Sequence, residues 1–195
     1  MKAVFASRNR HKAEQVALLL PQFELIPLDE LAPGLELEEP FLTFEENAIA
    51  KARAVVAATG MPAVADDSGL EVDALGGAPG VHSARYAGEA ATDRENNAKL
   101  VAALEGVDPG HLLARYRCVA VLMLPDSLVI SAEGWCDGTI TLEGRGAGGF
   151  GYDPHFIPRG ETRTMAEIPL DEKLAFSHRG RAFRALTEKI DGLRV

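Results

Sequence analysis

Cysteine is nearly absent from this 195-residue chain: its two copies, Cys118 and Cys136, stand 18 positions apart with no C-x-x-C pair and no histidine-rich company. That pattern supports neither a zinc site nor a disulfide framework, and it predicts two small buried apolar side chains in a reducing compartment. Long apolar runs are missing as well, none approaching the roughly 20 residues of a membrane span, so no membrane partner is expected. Met1-Lys2 passes through only four apolar residues before Ser7-Arg8-Asn9-Arg10, which does not read as a signal peptide, and a cytoplasmic location is expected. Basic excess is lacking too. Twenty Lys+Arg against 29 Asp+Glu give a net charge of −9, which argues against a nucleic-acid partner. Internal repeats, low-complexity tracts and obvious linkers are also missing.

The chain does have enough residues, 47% of them apolar, to bury a core as one large domain or as two small lobes. Its charge is uneven. Residues 173–195 carry six Lys/Arg and two Asp/Glu, so an acidic body is joined to a basic tail, an arrangement suited to a small polyanion together with a divalent metal.

Lys2–Ala6 reads as a short buried strand, and Arg10–Leu20 as a helix with Ala13, Val16, Ala17 and Leu20 on one face, stopped by Pro21. Phe23–Leu28 reads as a second strand. Thr43 and Glu46 fit a capping box that starts a helix near Phe44 and carries it through Ala58 to Gly60; Thr92 and Glu95 repeat the pattern for a helix ending by Gly106. Ala63–Asp66 and Leu70–Val72 read as two short strands around Asp66-Asp67-Ser68-Gly69. Arg115–Leu124 and Leu128–Cys136 form a hairpin through Pro125-Asp126-Ser127. Seven glycines among the 18 residues from Gly134 to Gly151 predict irregular structure there. Residues from about Asp171 to Ile190 are helical again, with a break near Ser177–Gly180. The sum is an α/β protein, a mixed sheet with helices on its faces and a cleft between two lobes.

Four constellations carry chemistry. Ser7-Arg8-Asn9-Arg10-His11-Lys12 lies between strand and helix, where exposed N–H groups attract phosphate, although a solvated first turn has the same composition. Lys51 has the same ambiguity. Asp66-Asp67-Ser68-Gly69 sits at a strand end; adjacent strand residues face opposite sides, so one carboxylate faces ligand while the other is structural. A carboxylate beside phosphates would hold Mg²⁺, with Glu38 or Glu39 of the acidic loop, residues 36–46 with five glutamates, as second ligand. The alternative is a plain turn before Gly69. Gly148-Gly149-Phe150-Gly151-Tyr152-Asp153-Pro154 combines close backbone approach, an aromatic face and a carboxylate suited to a base edge, or else is a packed loop. Lys173 with Ser177-His178-Arg179-Gly180 concentrates donors. Asp67-Ser68-Gly69 also spells an aspartic-protease triplet, but no second copy exists to share a proton. Gly144-Arg145-Gly146-Ala147-Gly148-Gly149 fits G-x-G-x-x-G yet leads into no helix.

Taken in order, six motifs resemble the inosine triphosphate pyrophosphatase family, the XTP/dITP diphosphatases, over nearly the whole chain. They are Ser7-x-Asn9-x-x-Lys12, Thr43-Phe44-Glu45-Glu46-Asn47-Ala48 with Lys51-Ala52, Ala65-Asp66-Asp67-Ser68-Gly69-Leu70, Gly76-Gly77-Ala78-Pro79-Gly80 with Ser83-Ala84-Arg85-Tyr86, Gly149-Phe150-Gly151-Tyr152-Asp153-Pro154, and Ser177-His178-Arg179-Gly180. Arg8 departs from the family's glycine, so its backbone must avoid positive φ.

The resemblance implies one two-lobed domain over residues 1–195, a homodimer, and Mg²⁺-dependent hydrolysis of ITP, dITP or XTP to monophosphate and pyrophosphate. It places Ser7, Arg8, Asn9, Arg10, His11, Lys12, Lys51 and Ser68 on the substrate, with Glu38 and Asp67 on the metal and Asp67 as proton acceptor. Phe150 would stack on the base, in a segment shared with Gly151 and Tyr152, and Asp153, Lys173, His178 and Arg179 would surround its edge. A related pyrophosphatase for other modified nucleotides, or a nucleotide-binding sensor without catalysis, are the competing readings.

Overall fold

A computed structural model of the chain describes residues 1–193. Arg194, counted in the basic tail, lies outside the described residues. The chain opens with β1 (Lys2–Phe5), whose last three residues are buried. It turns through Ser7–Asn9 into α1 (Arg10–Leu19), then β2 (Glu24–Pro27) and the single turn α2 (Leu28–Leu31). After the acidic loop comes α3 (Phe44–Thr59). Thr43 caps its start by accepting from the Glu46 N–H, and Gly60 ends it at φ +67°, a conformation costly for any residue with a Cβ.

β3 (Ala63–Val72) follows as one ten-residue strand. The two short strands expected on either side of Asp66-Asp67-Ser68-Gly69 are therefore one, because those polar residues have partners on both sides of the strand, described below. α4 (Asp93–Ala103) starts with the full Thr92/Glu95 capping box. β4 (Leu113–Met123) and β5 (Val129–Ile140) form the hairpin, closed where Leu124 N–H donates to the Leu128 carbonyl. β5 continues four residues past Cys136, through Gly138. A Cβ there would collide with the Ile157 carbonyl of β6 (Phe156–Pro158), so glycine is what lets β6 pair. α5 (Leu170–Phe176) and α6 (His178–Gly192) are separated by Ser177 in extended conformation, matching the expected break.

The six strands form one mixed sheet in the order β2-β1-β3-β4-β5-β6, with β1 parallel to β2 and β3 and with β5 antiparallel to β6. The chain divides into two compact units. Unit 1 comprises residues 1–67, 118–134 and 179–195, and unit 2 residues 68–117 and 135–178. Each has its own core. Phe5, Val16, Leu20, Leu122, Phe183 and Leu186 are central in unit 1; Leu70, Leu100, Leu104, Ile140, Phe156 and Met165 in unit 2. Both cysteines are buried, as their scarcity and setting suggested.

Candidate active site

In unit 1 the β1–α1 turn is folded onto itself. Ser7 Oγ accepts from the Asn9 N–H at 3.1 Å, and Asn9 Oδ1 caps α1 by accepting from the Lys12 N–H at 3.1 Å. Arg10 and His11 are exposed on the first turn. Arg8 turns elsewhere: its guanidinium donates to Asp29 Oδ1 at 2.8 Å and to the carbonyls of Pro33 and Leu35 at 3.1 and 2.7 Å, tying down the start of the acidic loop. Among the described residues the only non-glycine with positive φ is Ser127, so Arg8 stands where the resemblance expects glycine without left-handed strain.

Asp66 and Asp67 divide the work expected of neighbouring strand residues. Asp66 is fully buried, and its Oδ2 meets Lys12 Nζ at 3.3 Å and Arg179 Nη2 at 3.2 Å. Burial alone would disfavour its charge, but Lys12, Arg179 and Lys51 outweigh that and hold its carboxyl well below the usual carboxylate range. Arg179, expected at a base edge, instead donates to Asp66 and, at 2.8 Å, to Gln15 Oε1 of α1, and it is 2% exposed. It fastens α6 to α1 and β3.

Asp67 is 4% exposed and receives Lys51 Nζ at 3.2 Å and Asn47 Nδ2 at 3.3 Å. Asn47 and Lys51 are four apart on α3 and so share a face. Lys51 also donates to Glu39 Oε1 at 2.6 Å, and Asn47 exchanges hydrogen bonds with the Phe41 N–H and carbonyl, which brings the acidic loop to α3. Burial, reinforced by the Glu39 charge, pushes the Asp67 carboxyl up although Lys51 and Lys12 pull it down. Lys51 is buried, which lowers its pKa, yet Asp67, Glu39 and Asp66 together raise it, so it keeps its proton.

This geometry sets Glu39, and not the expected Glu38, on Lys51 beside Asp67. Glu38 is exposed, whereas Glu39 lies half-buried on Lys51, because the alternation of the extended loop turns one neighbour inward and the other out. Asn47 stands in the Thr43–Ala48 motif without an expected role, and its i,i+4 spacing from Lys51 is the signal for the one it has here.

Among the described residues no group of three or more His, Cys, Asp or Glu side chains could enclose a metal. The pair Glu39 and Asp67 supplies hard oxygen donors of the kind Mg²⁺ accepts, one or two carboxylates completed by waters and substrate phosphates. The donor chemistry therefore fits that ion.

Unit 2 holds a second cluster. Asp153 is 7% exposed; its Oδ2 accepts from Lys173 Nζ at 2.9 Å and the Phe150 N–H at 3.2 Å, while Oδ1 accepts from the Tyr116 hydroxyl at 3.3 Å. Gly149, at φ +74°, lies so close that a Cβ would meet Asp153 Oδ2 and approach Lys173 Nζ to 2.7 Å. Gly151 is bracketed by α4, its N–H donating to Asp93 Oδ2 at 2.7 Å and its carbonyl accepting from Asn97 Nδ2 at 2.9 Å. The Tyr152 hydroxyl donates to the Ser83 carbonyl at 2.8 Å. His178 is 8% exposed and stacks on Tyr116, centroids 4.6 Å apart at 11°. Phe150 and Ser68 are half-buried. Sequence reading missed Tyr116, Asp93 and Asn97, whose partners lie 37 to 58 positions away.

The chain is similar to known proteins over nearly its whole length. The model of the Ham1 family matches residues 3–189. The chain is 46% identical to the dITP/XTP pyrophosphatase of Desulforamulus reducens, over all of this chain and 98% of that protein. The solved structure of a HAM1 protein from Coxiella burnetii superposes with TM-score 0.89 at 42% identity, covering 98% of this chain and 99% of that one. The Staphylococcus aureus Ham1 protein gives TM-score 0.88 at 38% identity with the same coverage.

Proposed function

The chain belongs to the Ham1 family, and from that premise we propose that it is a nucleoside triphosphate pyrophosphohydrolase for non-standard purine nucleotides, dITP, XTP and ITP. The reaction adds water across the anhydride between the α and β phosphates and yields the monophosphate and pyrophosphate. The observation that carries the reading is the Glu39–Lys51–Asp67 cluster, with Lys51 and Asp67 buried and Glu39 half-buried: two carboxylates that share one ammonium at 2.6 and 3.2 Å.

Asp67 is the proton acceptor for the attacking water. A carboxyl pushed up by burial is a stronger base than an ordinary aspartate, and the Lys51 ammonium beside it opposes that rise. Lys51 and Lys12 offset phosphate charge from fixed positions, and the N-terminal turn of α1 adds backbone donors. Glu39 and Asp67 would hold Mg²⁺, which, when bound, neutralises charge on phosphate oxygens and makes water more acidic. Lys173, His178 and Asp153 in unit 2 take the base. Donors directed at a 6-oxo group leave an adenine amino group unmatched, which is an effective way to reject it.

No described helix is long and apolar enough to cross a membrane. A homodimer in the cytoplasm completes the proposal. The test is a substrate panel. The expected result is kcat/KM for dITP, XTP and ITP about a hundredfold or more above dATP, abolished in Asp67→Asn. Tight dITP binding without turnover would leave a sensor, and preference for pyrimidine or methylated nucleotides would reassign the substrate.

A further inference from the structure

Tyr116 lies on β4, 7% exposed, and the sequence gives it no motif. Its two ends nevertheless meet two different groups of the unit 2 cluster. The hydroxyl donates to Asp153 Oδ1 at 3.3 Å, and the ring stacks on the His178 imidazole at 4.6 Å and 11°. Phe156 packs at a tilt of 57° with its centroid 4.8 Å away, so the ring has a third fixed neighbour. From this geometry we propose that Tyr116 is a positioning residue for base recognition, its hydroxyl holding the Asp153 carboxylate and its ring holding the His178 imidazole. The inference rests on the function proposed above and names a residue that serves it.

A tyrosine side chain has two soft torsions, and one packed ring fixes both. Asp153 then has a set orientation. Oδ1 is held by Tyr116, which leaves Oδ2 to Lys173 Nζ and the Phe150 N–H. Burial and the Asp153 charge push the Tyr116 hydroxyl far above its usual range, so it stays protonated and acts toward Asp153 as donor only. Losing that donor leaves a buried carboxylate oxygen unpaired and releases the carboxylate to swing, taking Lys173 and the Phe150 backbone with it. Because the donors that read a 6-oxo group depend on this frame, the loss falls on substrate recognition and not on the phosphate chemistry of unit 1.

The experiment is steady-state kinetics of the full chain on dITP and dATP. Tyr116→Phe keeps the ring and removes one oxygen. The expected result is a KM for dITP raised about tenfold with kcat within about twofold, dATP barely changed, and the dITP to dATP ratio down about tenfold. Tyr116→Leu also removes the stack and should lower the ratio about a hundredfold. The His178 ring-proton resonances should keep their ring-current shift in Tyr116→Phe and lose it in Tyr116→Leu. An unchanged dITP KM in Tyr116→Phe, or an equal loss for dITP and dATP, overturns the proposal while wild-type turnover leaves the function standing. A wild type that does not hydrolyse dITP removes the function and this inference with it. Should Tyr116→Leu fail to fold, Tyr116→Phe decides alone.

Discussion

Replacing Lys51 with methionine keeps a long apolar stem in α3 and removes the ammonium that Glu39 and Asp67 share. At an effective dielectric of about 20, a charge pair 3.2 Å apart is worth about 5 kcal/mol and one 2.6 Å apart about 6 kcal/mol. Part of that gain is offset because Lys51, 5% exposed, gave up its hydration. What remains on removal is a cost of about 3–5 kcal/mol, paid either as instability or by protonating a carboxylate. Lys51 acts to lower the Asp67 pKa and Glu39 to raise it, on top of the rise from burial. The variant therefore keeps both upward influences and loses the principal downward one. The acid limb of kcat/KM for dITP, which reports deprotonation of the base, should move to higher pH, and activity at neutral pH should fall about 10²–10³-fold. Pyrophosphate release measured from pH 5 to 10 at a Mg²⁺ concentration well below saturation, where protons and metal compete for Asp67, reads the limb. A limb that stays in place or moves to lower pH would refute the assignment of Asp67 as the base.

Three further outcomes follow from the same geometry. Glu39→Gln should raise the Mg²⁺ concentration needed for half-maximal rate at least tenfold while Glu38→Gln stays near wild type, as a metal titration of each will show. Arg179→Met leaves buried Asp66 with Lys12 as its remaining ion-pair partner and Lys51 acting from farther away, and should cost about 3–5 kcal/mol, or about 10 °C in Tm. Because the folded pKa of Asp66 is depressed, this stabilisation is present above its unfolded value and fades as pH falls below about 4, so thermal melts of the variant and the wild type should converge on acidification. Gly149→Ala forces a Cβ against Asp153 and Lys173 at positive φ, and the KM for dITP should rise at least tenfold with little change in α-helical circular dichroism.

The parts of this protein legible from sequence are those governed by local rules. Capping by Thr43 and by Thr92 with Glu95, the αL stop at Gly60 and the hairpin turn near Asp126 are each set within a few residues. Charge compensation across distance was not legible. Asp66-Asp67-Ser68-Gly69 has the composition of a turn, yet it continues a strand because Lys12, Arg179, Lys51 and Asn47 come from other elements to meet both carboxylates. β6, at three residues, is too short for any periodicity to declare it, and Gly138 makes sense only beside it. The Glu38/Glu39 ambiguity has the same root: a loop without a regular pattern does not reveal which neighbour turns inward until Lys51 is in place. Tyr116 and Arg179 show the reverse case, in which a residue type was visible but its partner, 37 or 113 positions away, was not.

The central claim is that water is added between the α and β phosphates of a 6-oxo purine nucleoside triphosphate. A single turnover of dITP with excess enzyme and Mg²⁺, resolved by ion-exchange chromatography, tests it most directly. The account predicts dIMP and pyrophosphate in equal amounts from the earliest time point, with no dIDP at any stage. Appearance of dIDP with orthophosphate would contradict it.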